Sequence, residues 1–369
     1  LSVSAINVLY GLSRLGARLI AWVMMWVAFV ISHFETRDVV ISNERGHNAL
    51  DPIGPRVVIF SHFDRHARIR THTRAYIDAL SAEGLDVVFV SNAARLTPPD
   101  LAWVRERAVR IVIRRNLGYD FAAWRDAMAA CGLPATNTSL LLLANDSVYG
   151  PLYPLRTVLS RIDFNEADVW GATDSWQHRF HLQSFFLAFG PKAFGHEAFG
   201  VFWRSIRNVR SKAWVISRYE MGLSRALIDA GLRCKAIWSY ADMIKVLRKT
   251  VAEHDNRDRT VKAGSVSQKE PGRENNRLDP ENPFAQAGRR NSERLLRVAY
   301  RRVPLNPTAD LWRVLIEQGF PFLKRELLRD NPSRVPDVAT WSSVIDEIHG
   351  YNTDIILSDL EKSLKNRTP

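Results

Sequence analysis

Apolar and polar residues alternate in blocks along the middle of the chain. Short apolar runs at Val57–Phe60 (VVIF), Val87–Val90 (VVFV), Val109–Ile113 and Leu140–Leu143 predict strands buried on both faces of a sheet. Between them Arg68–Glu83, Pro98–Ala108 and Phe121–Ala130 carry helical apolar spacing, the second entered through Thr97. This alternation predicts an α/β fold with a doubly wound, mostly parallel sheet and helices on both faces. The alternation stops at Gly150-Pro151, which forces a turn. Beyond it Val169–Thr173, Phe185–Phe189 and Cys234–Trp238 read as strands. Ala198–Ile206 and Ala213–Ala230 read as helices, the latter closed by Gly231.

Both ends of the chain depart from this pattern. Ser4, Asn7, Gly11, Arg14 and Arg18 make a narrow polar stripe on a helix that is apolar all round from Leu19 to Ile31. That apolar part spans only about 20 Å, short of the roughly 30 Å hydrocarbon core of a bilayer. Extending it back takes Arg14 and Arg18 into the apolar zone. Residues 1–34 are therefore expected to lie in the membrane surface with the arginines on headgroups. Packing against the protein itself or a partner subunit is the alternative, and no small-residue cleavage site of a signal peptide follows. Thr250 to Glu293 is crowded with charge and poor in aromatic residues, so residues 250–293 read as a flexible linker. A helical segment, 294–369, ends the chain. It holds a helix at Ala309–Gln318, a Gly-Phe-Pro-Phe turn leading into a second helix, and an amphipathic helix at Asp354–Leu364 with Thr353 as its N-cap. The central domain is bounded at 55–245.

Composition narrows the class. At 369 residues, 46% hydrophobic and 24% charged, the chain is an ordinary globular protein. Cys131 and Cys234 offer neither a disulfide framework nor metal-ligand spacing, which fits a reducing cytosol. A net charge of +12 points to anionic partners: nucleic acid, acidic headgroups or phosphorylated substrates. No zinc finger, aromatic-glycine RNA signature or helix-turn-helix pattern occurs, so no nucleic-acid partner is expected.

Candidate chemistry gathers at strand ends, where open α/β sheets bind ligands. Arg114-Arg115-Asn116-Leu117-Gly118-Tyr119-Asp120 follows the third strand and opens a helix. Two arginines, a flexible glycine and a helix N-terminus suit a pyrophosphate; Asp120 by default is that helix's N-cap. Asp146, in Asn145-Asp146-Ser147 after the fourth strand, is either a turn cap or a carboxylate able to hold Mg²⁺ or Mn²⁺ beside substrate phosphates. Asp174 and His181 are candidates for a second ligand, and their plainer reading is as surface turn residues. Glu220 sits at the inward edge of its helix, set by Leu223, Ala226 and Leu227, where a carboxylate can act as a general base. The plainer reading pairs it with Arg218 or Arg225.

Jointly these stretches resemble the rhamnan-synthesis F family of bacterial polysaccharide enzymes. The matching pieces run in order: VVIFSHFD (Val57–Asp64), VVFVSNA (Val87–Ala93), RNLGYDFAAWR (Arg115–Arg125), LANDSVYGPL (Leu143–Leu152), VWGATDS (Val169–Ser175), HLQSFFLAF (His181–Phe189) and SRYEMGLSRAL (Ser217–Leu227). They cover Val57 to Tyr240, about half the chain, and the Gly-Phe-Pro-Phe tail is similar to segments ending such proteins. The resemblance implies a GT-A-like domain that transfers a sugar, dTDP-L-rhamnose by family expectation, with inversion. It implies Arg115, Asn116 and Gly118 on the nucleotide, with Asp120 and His181 in the same crevice, Asp146 on metal and pyrophosphate, and Glu220 as acceptor base. The usual strand-end carboxylate pair is here Asn-Asp-Ser, with one acid only. The implied acceptor is a polysaccharide or lipid-linked glycan at the inner membrane surface, which makes the protein cytoplasmic and peripherally attached. Rival expectations are another nucleotide-sugar or phosphosugar transferase, and a non-catalytic carbohydrate- or membrane-binding component of an assembly complex.

Overall fold

The computed structural model describes residues 16, 19–35, 38–47, 52–264, 283–346 and 351–365. The polar stripe expected at Ser4, Asn7, Gly11, Arg14 and Arg18 lies outside them. The strands among the described residues are, in chain order, β1 (Val40–Arg45), β2 (Arg56–His62), β3 (Asp86–Ser91), β4 (Ala108–Arg114), β5 (Leu140–Asn145), β6 (Val148–Tyr149), β7 (Val169–Ser175), β8 (His181–Leu182), β9 (Phe186–Phe189), β10 (Cys234–Trp238) and β11 (Leu323–Lys324). The chain forms two compact units interleaved along its length. The first is Leu1–Arg68, Asp86–Asn145 and Phe189–Leu232; the second is Ile69–Leu85, Asp146–Ala188 and Arg233–Pro369.

In the first unit the strand order is β1-β4-β3-β2-β5, with β2, β3, β4 and β5 parallel and β1 antiparallel to β4. The apolar runs are fully buried at Val57–Phe60 and Leu141–Leu143, as strands covered on both faces require. The sequence pattern misses β1, VISNER, because an edge strand that buries only alternate residues carries no apolar run. Successive strands move outward from β2 to β4, and the chain then returns to lay β5 on the other side of β2. With right-handed crossovers this reversal puts helix Pro98–Arg105 and helix Tyr119–Cys131 on opposite faces. It also opens a crevice at the carboxyl ends of β2 and β5. The predicted helix Ala213–Ala230 is one helical path: Lys212–Trp214, a π-helical stretch Val215–Glu220, and Met221–Asp229.

In the second unit β7 is flanked by β9 and by parallel β10, and β8 pairs antiparallel with its end. The Gly-Phe-Pro-Phe turn leads into β11, which pairs antiparallel with β6 at Leu323↔Tyr149. Tyr149, Trp312, Ile316, Leu327 and Ile345 close one core around that pairing. Helices Tyr240–Gly264 and Pro283–Tyr300 enter the stretch expected to be linker from either end; residues 265–282 lie outside the described ones. The composition rule asks whether a segment buries enough apolar surface alone, and these two helices pack on each other. Their charges also fall at i,i+4, as in Lys249–Glu253 and Arg297–Glu293, each 3.9 Å apart. Thr353 starts the last helix, Asp354–Lys365, but its hydroxyl donates to Asp346 Oδ1.

That last helix is held by Asp359, 4% exposed. Tyr149 Oη donates to its Oδ2 at 2.8 Å, Arg325 Nη2 at 3.2 Å, and Arg70 Nη1 to its Oδ1 at 3.2 Å. Burial alone would raise the Asp359 pKa, but Arg325, His72, Tyr149 and Arg70 outweigh it and hold the carboxyl below its ordinary value. The folded state therefore binds this proton less well than the unfolded chain. The stability this contributes is full above the ordinary carboxylate pKa of about 3.9 and is lost as pH falls through the depressed value. In urea unfolding, Asp359→Asn is expected to cost about 3–5 kcal/mol near pH 7, the cost of breaking a buried ion pair. It is also expected to flatten the loss of stability below about pH 4.

Candidate functional site

A cleft of about 450 Å³ opens in the first unit over the carboxyl ends of β2, β3 and β4. After β2 it is lined by Phe63, Asp64 and Arg65; after β3 by Asn92 to Ala94; after β4 by Arg115 to Leu117; and finally by Arg210. Parallel strands deliver these loops to one edge because all three point the same way. Asp64 shapes the turn after β2, accepting from the backbone N–H of His66 at 2.7 Å. His62 ties β2 to β3: its Nε2 faces the Arg68 carbonyl at 3.1 Å and so donates, which leaves Nδ1 to accept from Ser91 Oγ at 3.1 Å. Phe63 is 43% exposed at the rim, and Arg65, Arg115 and Arg210 are exposed as well. Arg210 also pairs with Glu35 Oε2 at 3.2 Å; the three guanidinium groups with one aromatic face suit a ligand with anionic oxygens and a flat ring.

The two arginines at the end of β4 part company. Successive side chains on a strand point to opposite faces, so Arg115 reaches the cleft while Arg114 is wholly buried. The expectation that both serve a pyrophosphate is corrected here: Arg114 is structural. It pairs with Asp126 at 2.9 Å, donates to Leu117 O at 2.8 Å and to Asn208 Oδ1 at 3.3 Å, and bonds Asn92 Oδ1. Burial lowers the Arg114 pKa, and Asp126 works against that shift.

The N-cap expectation for Asp120 is also corrected. Gly118 is the N-cap of helix Tyr119–Cys131, and Asp120 lies in the first turn. Its carboxylate bridges the crevice between β2 and β5 instead, accepting from Ser61 Oγ at 2.7 Å and from Asn145 Nδ2 at 3.0 Å. Gly118 is explained by backbone alone. Its φ is +78°, and a Cβ there would stand 2.5 Å from Ala122 Cβ and 2.9 Å from Asn208 Cα. Asn116 is exposed in the cleft wall.

Glu220 is half-buried at the end of the π-helical stretch, in the same unit as Arg115 and Asp120. It is not among the residues lining the cleft. Nearby, Arg225 pairs with Asp229 at 3.2 Å, and Arg218 lies over the rings of Trp26 and Trp214. A π-helical insertion re-aims the side chains that follow it, a feature often found at functional sites.

Asp146 and His181 belong to the second unit. Asp146 accepts Arg325 Nη1 on its carbonyl at 2.9 Å, and its Oδ2 lies 3.9 Å from the same nitrogen. Asp174 and His181 are buried, at 4% and 7% exposure, which corrects their reading as surface turn residues. Asp174 accepts from the Tyr240 backbone N–H at 2.6 Å and from Trp176 Nε1 at 3.0 Å; burial raises its pKa against those bonds. His181 Nδ1 lies 2.9 Å from Arg179 O. Among the described residues no three His, Cys, Asp or Glu are grouped to hold a metal.

Phe63, Asp64, Arg65 and Arg210 were not singled out by the sequence. The first three follow a strand and fall under the same strand-end rule that singled out Asp146. Arg210 and Arg325 carry no local signal, since each reaches its place through tertiary packing.

Residues 87–253 match the family model described as Rhamnan synthesis protein F. The chain is 28% identical over 176 residues to Uncharacterized protein y4gN of Sinorhizobium fredii (strain NBRC 101917 / NGR234), covering 47% of this chain and 46% of that one. It is 27% identical over 248 residues to Virulence protein VirA of Vibrio anguillarum (strain ATCC 68554 / 775), covering 65% and 67%. The match thus spans less than half of the Sinorhizobium protein's length. Among solved structures, the mannosyltransferase PcManGT from Pyrobaculum calidifontis aligns over 99% of this chain and 92% of its own, at 12% identity and a TM-score of 0.33. By strand order the chain is an α/β protein with a mostly parallel sheet, and over residues 87–253 it is similar to the Rhamnan synthesis protein F family.

The contrast between the adjacent arginines is measurable by urea unfolding. Arg114→Leu leaves Asp126 to Arg125 but takes the buried donor from the Leu117 carbonyl and from Asn92 and Asn208, and is expected to cost at least about 2 kcal/mol. Arg115→Ala, one residue on, is expected to change stability by less than about 0.5 kcal/mol.

Proposed function

We propose that the protein is a glycosyltransferase moving a sugar from a nucleotide-activated donor, dTDP-L-rhamnose by the resemblance, onto a growing polysaccharide or lipid-linked glycan. The observation that carries this reading is the cleft in the first unit. Its volume of about 450 Å³ suits a small-molecule ligand. The Arg65, Arg115 and Arg210 guanidinium groups match a diphosphate, and Phe63 offers a face for the base. The family match over residues 87–253 supports the same class of chemistry.

In this reading transfer is one in-line displacement. The bond from the acceptor oxygen to the anomeric carbon forms as the bond from that carbon to the diphosphate oxygen breaks, which inverts the centre. Glu220 takes the acceptor's proton, and the cleft arginines meet the charge growing on the leaving diphosphate. Asp120, held by Ser61 and Asn145, positions the strand ends under the donor.

A thermal-shift series with dTDP, dTDP-L-rhamnose and other nucleotide sugars tests the reading, because tight binding stabilises only the folded state. The true donor raises the melting temperature, and Arg115→Ala weakens its binding by about tenfold or more, the worth of a charge-assisted hydrogen bond. Glu220→Gln keeps donor binding and loses transfer. If no nucleoside diphosphate or nucleotide sugar shifts the transition, the reading fails.

A further inference from the structure

We infer that the first unit docks on an anionic lipid bilayer through a composite surface: the helix at residues 19–31 together with the cationic segment 204–218. The helix is rooted on one side only. Phe29 stacks on Trp214 with centroids 4.2 Å apart, Trp26 meets the same indole edge-on at 5.2 Å, and Ser217 Oγ donates to Met25 Sδ at 3.6 Å. At 100° per residue Met25, Trp26 and Phe29 fall within an arc of about 100°. Leu19, Ile20, Val23, Met24, Val27 and Ile31 occupy a separate arc of about 140°, and each is at least 43% exposed. Phe34, just beyond, is 77% exposed. Residues 19–34 contain no Asp, Glu, Lys or Arg. A ridge this apolar marks an interaction surface.

The segment under the helix identifies what covers the ridge. Residues 204–218 carry Arg204, Arg207, Lys212 and Arg218, all exposed, and no Asp or Glu; Arg210, in the cleft wall and paired with Glu35 at 3.2 Å, is not counted with them. A second copy of the chain would bring like charges together around the apolar ridge. Anionic headgroups complement them while the ridge enters the acyl boundary, the arrangement of an interfacial helix. Among the described residues no helix is long and apolar enough to cross a membrane. The segment runs directly into the π-helical stretch that ends in Glu220, so bilayer and Glu220 share one structural support. The inference stands on the ridge and the cations, independently of what the cleft binds.

Flotation of the full chain tests it, with vesicles of phosphatidylcholine alone and of equimolar phosphatidylcholine and phosphatidylglycerol. Binding to the mixed vesicles is expected to be tighter by about fivefold for each cation engaged and to weaken with salt. Val23→Asp with Val27→Asp is expected to lose at least about tenfold in binding, whereas Val23→Leu with Val27→Leu retains it. The wild-type dependence on lipid charge and salt needs no variant to fold. Failure to float with mixed vesicles, or equal flotation of the aspartate variant, overturns the inference. So does a dimer in light scattering that the aspartate variant converts to monomer, because a second copy would then cover the ridge.

Discussion

A buried guanidinium organises the first unit. Arg114 is removed from water at the end of β4, and a buried charge persists only where its partners are complete. Those partners come from four places: Asn92 after β3, the Leu117 carbonyl in the next turn, Asp126 in the following helix, and Asn208 far along the chain. Asn208 is held in turn by Arg125 Nη2 at 3.0 Å. One side chain therefore sets the spacing of the loops that carry Asn92, Arg115 and Asn116 into the cleft. Because the ion pair is so deep, loss of either partner costs far more than the pair contributes.

The second unit solves a similar problem with a carboxylate. Asp359 gathers Tyr149, Arg70 and Arg325, and Arg325 also reaches Asp146. A residue expected to hold a metal is thereby met by a cation of the protein's own, brought 179 residues along the chain by the β6–β11 pairing. Arg325 thus stands between two carboxylates, 3.2 Å from Asp359 Oδ2 and 3.9 Å from Asp146 Oδ2.

Conformational demands account for several residues that looked chemical in isolation. Gly118 is required by a left-handed turn and by the closeness of Asn208 and Ala122. Asp174, buried, spends its oxygens on the start of helix Tyr240–Gly264 and on an indole. Glu220 is the converse case. An ordinary α-helical reading gives it an inward edge, while the π-helical stretch ending at it changes where the side chain aims.

The sequence by itself determined the buried parallel strands, most of the helices between them, and the polar loops at strand ends. These follow from patterns a few residues long: apolar runs, three- and four-residue spacing, and turn-forming Gly and Pro. It also marked Arg115 and Asn116, which share the cleft, and the apolar helix before the first strand. Only the tertiary structure decided that Arg114 faces inward, that Asp120 bridges Ser61 and Asn145, and that Arg325 meets Asp146. It alone joined the apolar helix to the cations of 204–218 and drew helices into both ends of a stretch too charged to order itself. The physical reason is common to all of these: a side chain's role depends on partners distant in sequence, and local pattern carries no record of them.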